Sequence, residues 1–304
     1  MEETAEALTA PAAGPAPTLV VSDLDGTLVS SADRVSDRTL AVIRRMRRAG
    51  VRFIPASGRP ARWMLPVVDQ LGFAPVCVCA NGAVVYDAAT DRITYAAELA
   101  PTVLKRVAGA IVEATNPVLA RRDLGPVSFA VERAGASAFD RAEELFAVEP
   151  AFPHAWESDE HSVEPRDALL GTPAVKLLVR HDGVSSAELF DLVDPVVDPV
   201  DAHVTWSFTG GLLEINCPGV SKLSGLAHAL GDASGSDAGA EAVPAVDPAQ
   251  VVAFGDMPND LAMLEWAGLG VAMGNAQDAV AEAADYRTAS NDDDGVAEVL
   301  ERWF

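Results

Sequence analysis

TLVVSDLDGTLVS, residues 18–30, begins as an apolar run and ends in two acids one residue apart, Asp23 and Asp25, followed by Gly26 and Thr27. A short β-branched run stopped by an Asp-Gly turn reads as a buried strand cut off at its carboxyl end. A single Asp there would be ordinary, because Asp caps helices and Asp-Gly pairs make turns. Two acids at i and i+2 in extended chain project to the same side. Their charges then repel unless a cation lies between them or one carboxyl is neutral.

Outward from this stretch, short apolar runs alternate with amphipathic segments: SDRTLAVIRRMRRAG (36–50), VRFIPAS (51–57), PARWMLPVVDQLG (60–72) and PVCVCANG (75–82). This β-α-β-α-β order predicts a parallel sheet with helices on its faces, and Gly50 and Gly72 fall where helices should end. After Gly82 the texture changes. AVVYD and RITYAAEL form an expected hairpin, a helix is expected from about Pro101, and strands are expected at VSFAVE, AVKLLVR, HVTWSF and GLLEINC, with helices near 138–147 and 185–193. The first texture returns at Ser221, with strands at VVAFGD and LGVAMGN between helices. One α/β domain is therefore expected to be split by an α+β unit. The boundaries read as a disordered tail over 1–17, a first core segment over 18–85, the inserted unit over 86–216, and a second core segment over 217–304 with a flexible excursion at 232–248.

Composition excludes some partners. A formal charge of −23 over 304 residues leaves no basic footprint for nucleic acid or an anionic membrane. The three cysteines have no zinc spacing and suit a reducing compartment. No run is long and apolar enough for a membrane span, and the N-terminal stretch lacks the basic start of a signal peptide. A cytoplasmic protein is expected.

Four small motifs fall at the carboxyl ends of expected parallel strands or in loops beside them, where open α/β sheets bind ligands. They are Asp23-Leu24-Asp25-Gly26-Thr27, then Ser57-Gly58-Arg59, then Lys222 at a helix start, then Asp256 with Asn259 and Asp260. Singly, Ser57 reads as a helix cap and Lys222 as a solvated cation opposed to the helix dipole. Together they offer carboxylates to a hard cation, and a hydroxyl, amide donors and an ammonium to a phosphate, which is most of what phosphoryl transfer needs.

In content and order these motifs resemble the haloacid dehalogenase superfamily of aspartate-nucleophile phosphatases. SGRP, ANGA, EINCPGVSK, GDMPND, VAMGNA and SNDDDGVAEVL look like its Cof-like branch, which carries a large α/β cap. The resemblance implies a Rossmann-like doubly wound core with the cap at 86–216, and a Mg²⁺-dependent phosphatase of a small phosphorylated metabolite. Asp23 would be the nucleophile and Asp25 the proton shuttle. Asp23, Asp256 and the backbone carbonyl of Asp25 would hold Mg²⁺, and Ser57, Gly58, Lys222 and Asn259 would bind the phosphate. Thr27 would position Asp25 through its hydroxyl, Asp260 would orient Lys222 or a metal-bound water, and Arg59 would bind phosphate or pair with a carboxylate. Two other readings stay open on the sequence: a phosphomutase using the same aspartyl-phosphate, and a phospho-acceptor signalling module. NDDDG at 291–295 lacks the spacing of a calcium loop and is expected to cap the last helix.

Overall fold

The computed structural model describes residues 14–154, 160–231 and 246–304. The tail expected over 1–17 thus lies outside the described residues up to 13, and the 232–248 excursion up to 245. The strands are β1 (Leu19–Ser22), β2 (Arg52–Pro55), β3 (Val76–Cys79), β4 (Val84–Asp87), β5 (Arg92–Ala96), β6 (Ser128–Glu132), β7 (Phe146–Val148), β8 (Ser162–Val163), β9 (Lys176–Arg180), β10 (His203–Thr205), β11 (Leu212–Asn216), β12 (Val251–Gly255), β13 (Leu269–Ala272) and β14 (Tyr286–Arg287). The chain divides into two compact units: Met1–Pro55 with Val246–Phe304, and Ala56–Ala245.

The first unit is a five-stranded, wholly parallel sheet in the order β14-β13-β12-β1-β2. From β1 the chain steps outward to β2, and after the insertion it resumes at β12 and steps outward the other way. The switch in winding direction therefore lies between β1 and β12, where doubly wound sheets open a crevice at their carboxyl ends. Both central strands are buried along their whole length, as expected of strands covered on two faces. Helix Asp37–Arg48 starts at Ser36, whose hydroxyl accepts from Thr39 N–H, and buries Val42, Ile43 and Met46. It packs on helix Gly295–Leu300, joined by Arg38 to Glu301 at 2.7 Å.

The second unit is inserted in the sequence between β2 and β12. β3 leaves the parallel pattern expected of it: a single parallel bridge, Ala56 to Val78, is followed by antiparallel pairing of β3 with β4 and of β4 with β5. The remaining strands form a six-stranded sheet in the order β10-β11-β9-β6-β7-β8, antiparallel except for its β7–β8 edge. The helix expected near 138–147 is cut to Ala142–Leu145, because Phe146–Val148 pairs with β6 as β7. Tertiary pairing of the apolar Phe-Ala-Val run outweighs its local helical context.

Alternation gives that sheet two different faces. Phe129, Val131, Leu177, Val179, Leu213 and Ile215 join helices Pro101–Ala120 and Ser186–Val193 in one apolar core. Their sequence neighbours Glu132, Lys176 and Glu214 fall on the opposite face, and all three are buried. Among the described residues, no helix is long and apolar enough to cross a membrane.

Candidate active site

Asp23 follows β1 directly, and its backbone N–H donates to Phe254 O of β12 at 3.0 Å. Asp256 follows β12, so the two acids descend from neighbouring strand ends. With Asp260 they form a group in which one carboxylate oxygen from each lies within 4.8 Å of the others, at 5%, 6% and 0% exposure. Three carboxylates withdrawn from water in one place repel strongly without a cation or protons between them. An all-oxygen, anionic donor set of this kind fits a hard divalent ion such as Mg²⁺.

Each acid is held by a different device. The Thr27 hydroxyl donates to Asp256 Oδ1 at 2.8 Å. A hydroxyl has one proton to donate, so Thr27 orients Asp256, where the sequence reading had it positioning Asp25. Gly26 has φ +78°, and a Cβ there would overlap the Asp256 carboxylate, so only glycine admits both the left-handed turn and the close approach. Asp260 Oδ2 accepts the backbone N–H groups of Asp256 and Met257, each at 3.0 Å. It thereby ties down the very turn that presents Asp256. Asn259, partly exposed, stands beside it in the short Pro258–Asp260 turn.

Asp25 lies in the turn that follows β1. β1 ends at Ser22, and the chain enters a turn in which Thr27 N–H and Val29 N–H both donate to Leu24 O, at 3.1 and 2.8 Å. Asp23 is buried while Asp25 is exposed. The two acids thus differ in exposure, and the turn begins at Leu24, the residue between them. A buried acid beside an exposed one suits two different chemical tasks.

Ser57, Gly58, Arg59 and Lys222 belong to the second unit. Ser57, 1% exposed, donates its N–H to Val78 O at 2.8 Å, and its hydroxyl accepts Arg59 N–H at 3.1 Å. Lys222, also 1% exposed, opens helix Lys222–Ala229, whose cap is Ser221. Residues 80–82 link these two places. Ala80, Asn81 and Gly82 have φ of +50°, +58° and +99°, a run of left-handed backbone that costs energy at the two non-glycine positions. Asn81 N–H donates to Ser57 O at 3.0 Å, and Ala80 N–H to Arg59 O at 2.9 Å. A Cβ on Gly82 would overlap the Ser221 carbonyl, and one on Gly225 would come within 2.5 Å of Gly82 Cα, so the Lys222 helix is docked backbone to backbone.

This unit also holds a buried polar group around Lys176 and Glu214. Lys176 ion-pairs with Glu214 and donates to Gly58 O at 2.8 Å. Glu214 also accepts from Asn81 Nδ2 at 3.0 Å and Ser207 Oγ at 2.9 Å. Burial pushes the Glu214 carboxyl up, but Lys176 and the hydrogen bonds from Lys176, Asn81 and Ser207 outweigh it and hold it below its ordinary value. Asn81 and Glu214 lie inside ANGA and EINCPGVSK, so their motifs were visible although their contact was not.

The chain belongs to the haloacid dehalogenase-like hydrolases: residues 20–300 match that family. It is an enzyme, a hydrolase of the type its motifs led one to expect. A 5-amino-6-(5-phospho-D-ribitylamino)uracil phosphatase of Bacillus subtilis is 30% identical over 95% of this chain and 98% of its own. One of Escherichia coli with the same activity in its name is 26% identical over 93% and 95%. Among solved structures, a haloacid dehalogenase-like hydrolase from Bacteroides thetaiotaomicron superposes with TM-score 0.68 at 27% identity, covering 95% of this chain and all of that one. A subclass IIB sugar phosphatase superposes with TM-score 0.71 over 94% and 98% at 19% identity, a likeness of fold alone.

Proposed function

We propose that this chain is a Mg²⁺-dependent phosphatase that hydrolyses a small phosphorylated metabolite through an aspartyl-phosphate. The observation that carries the reading is the group of three buried carboxylates at the switch between β1 and β12. Asp23 attacks phosphorus and forms the acyl phosphate as the P–O bond to the leaving group breaks. Asp25, exposed beside it in sequence, gives its proton to the leaving oxygen and then takes one from the water that cleaves the aspartyl-phosphate. Asp23, Asp256 and the Asp25 carbonyl would hold the Mg²⁺ ion, which would supply the positive charge that lets an anionic nucleophile meet an anionic phosphate. Asp260 and Thr27 keep Asp256 in place, in accord with their hydrogen bonds. Ser57, Gly58, Lys222 and Asn259 bind phosphoryl oxygens, Arg59 assists them, and residues 86–216 set the choice of leaving group.

The names of two full-length relatives make 5-amino-6-(5-phospho-D-ribitylamino)uracil the first substrate to try. The test is kcat/KM for this compound and a panel of sugar phosphates, with Mg²⁺ and in excess EDTA. Release of inorganic phosphate that depends on Mg²⁺ supports the reading. Full activity in EDTA would overturn the metal assignment, and no turnover of any monoester would overturn the function.

A further inference from the structure

Two motifs, VAMGNA at 271–276 and SNDDDG at 290–295, have no part in the chemistry above. In the first unit both converge on the backbone just past Asp25. Asn275 Nδ2 donates to Gly26 O at 2.8 Å, and Asn275 Oδ1 accepts Asn291 N–H at 3.1 Å. Asn291 Nδ2 in turn donates to Val29 O at 2.9 Å, and Asp292 Oδ1 accepts Ser31 N–H at 2.8 Å and its hydroxyl at 3.0 Å. Asp294, at the start of helix Gly295–Leu300, makes no side-chain cap bond, so the segment expected to cap that helix is turned toward residues 26–31.

The consequence falls on one peptide group. The Gly26–Thr27 peptide is fixed at both ends, with Thr27 N–H on Leu24 O and Gly26 O on Asn275. That peptide carries Thr27, whose hydroxyl reaches Asp256, and it directly follows Asp25. Glycine has no Cβ to resist rotation of the peptide plane, so the Asn275 amide is the restraint on its carbonyl side. Asn275 is exposed, and a hydrogen bond at such a position adds little to global stability. Its effect is on orientation.

We infer that Asn275, braced by Asn291, is a positioning residue that fixes the Gly26–Thr27 peptide and thereby sets the affinity of the acidic group for its divalent cation. This rests on the metal reading above. The test is calorimetric titration of metal-stripped protein with Mg²⁺ for wild type, Asn275→Ala and Asn275→Gln, with melting curves of the metal-free forms. Loss of a group that orients a ligating carboxylate weakens metal binding by about 10–100-fold. Asn275→Ala should weaken Mg²⁺ by about 10-fold and raise the Mg²⁺ concentration for half-maximal rate in step. Its metal-free melting temperature should stay at the wild-type value, and Asn275→Gln, which keeps an amide donor, should recover part of the affinity. Wild-type affinity in Asn275→Ala overturns the inference alone. So does a lowered metal-free melting temperature with affinity unchanged, the mark of a merely structural bond. Failure of the wild type to bind Mg²⁺ would overturn the metal reading, and this inference with it.

Discussion

The hydroxyl of Thr27 donates to Asp256 Oδ1 at 2.8 Å across 229 positions of sequence. The threonine of the first motif thus serves the acid of the last, and the buried carboxylate has one oxygen fixed. Thr27→Val keeps the shape and removes the donor, which should weaken Mg²⁺ binding and lower activity by about 10–100-fold. Thr27→Ser should retain both. Mg²⁺ titrations of the rate for the two variants check this, and equal behaviour of Val and Ser would dismiss the bond.

Gly26 and Gly72 separate backbone strain from site collision. Both have positive φ, +78° and +72°, but a Cβ at Gly72 meets nothing within 4 Å, while at Gly26 it would overlap the Asp256 carboxylate. Gly72→Ala should cost about 1–2 kcal/mol through its left-handed backbone and leave kcat intact. Gly26→Ala should lose Mg²⁺ binding and nearly all turnover. Denaturant melts and steady-state rates on the pair measure the two effects separately.

Asp23 and Asp25 should fail at different stages of the reaction. Asp23→Ala has no nucleophile and should never carry phosphate. Asp25→Asn keeps the backbone and loses the proton, so with an activated aryl phosphate it should form the aspartyl-phosphate and hydrolyse it slowly. Acid quench and peptide mass mapping should find label on residues 18–30 in Asp25→Asn alone. Label in Asp23→Ala would reverse the assignment.

The buried Lys176–Glu214 pair makes stability depend on acid. Because the folded carboxyl is held below its ordinary value of 4.5, the pair stabilises fully above that pH and loses its contribution as pH falls toward the depressed folded value. Lys176→Met leaves a buried carboxylate without its cation and should cost about 3–5 kcal/mol near neutrality. The penalty should shrink in acid, where the lone carboxyl can protonate. Urea melts of wild type and variant at pH 7 and pH 4 read the difference, and a gap that does not change with pH would remove the pair from the acid response.

The sequence alone determined the alternation of elements, the return of the first texture after the insertion, and the four motifs at strand ends or in loops beside them. These are local properties: period, punctuation and residue type, each legible within a dozen residues. The stretch 18–30 disclosed that two acids stood at a strand end, and the tertiary structure decided that Asp23 is buried while Asp25 is exposed. Tertiary structure decided which residues serve which. Thr27 meets Asp256, Asn275 meets Gly26, and Lys176 meets Glu214 and Gly58 through pairings that span from 38 to 249 positions. Tertiary structure also turned Phe146–Val148 from expected helix into strand and drew β3 into an antiparallel sheet. The physical reason is the same in each case. A polar group in sequence specifies only that it needs a partner, and strand order, β1 beside β12 in the first unit and β9 beside β11 in the second, specifies which residues are near enough to be one.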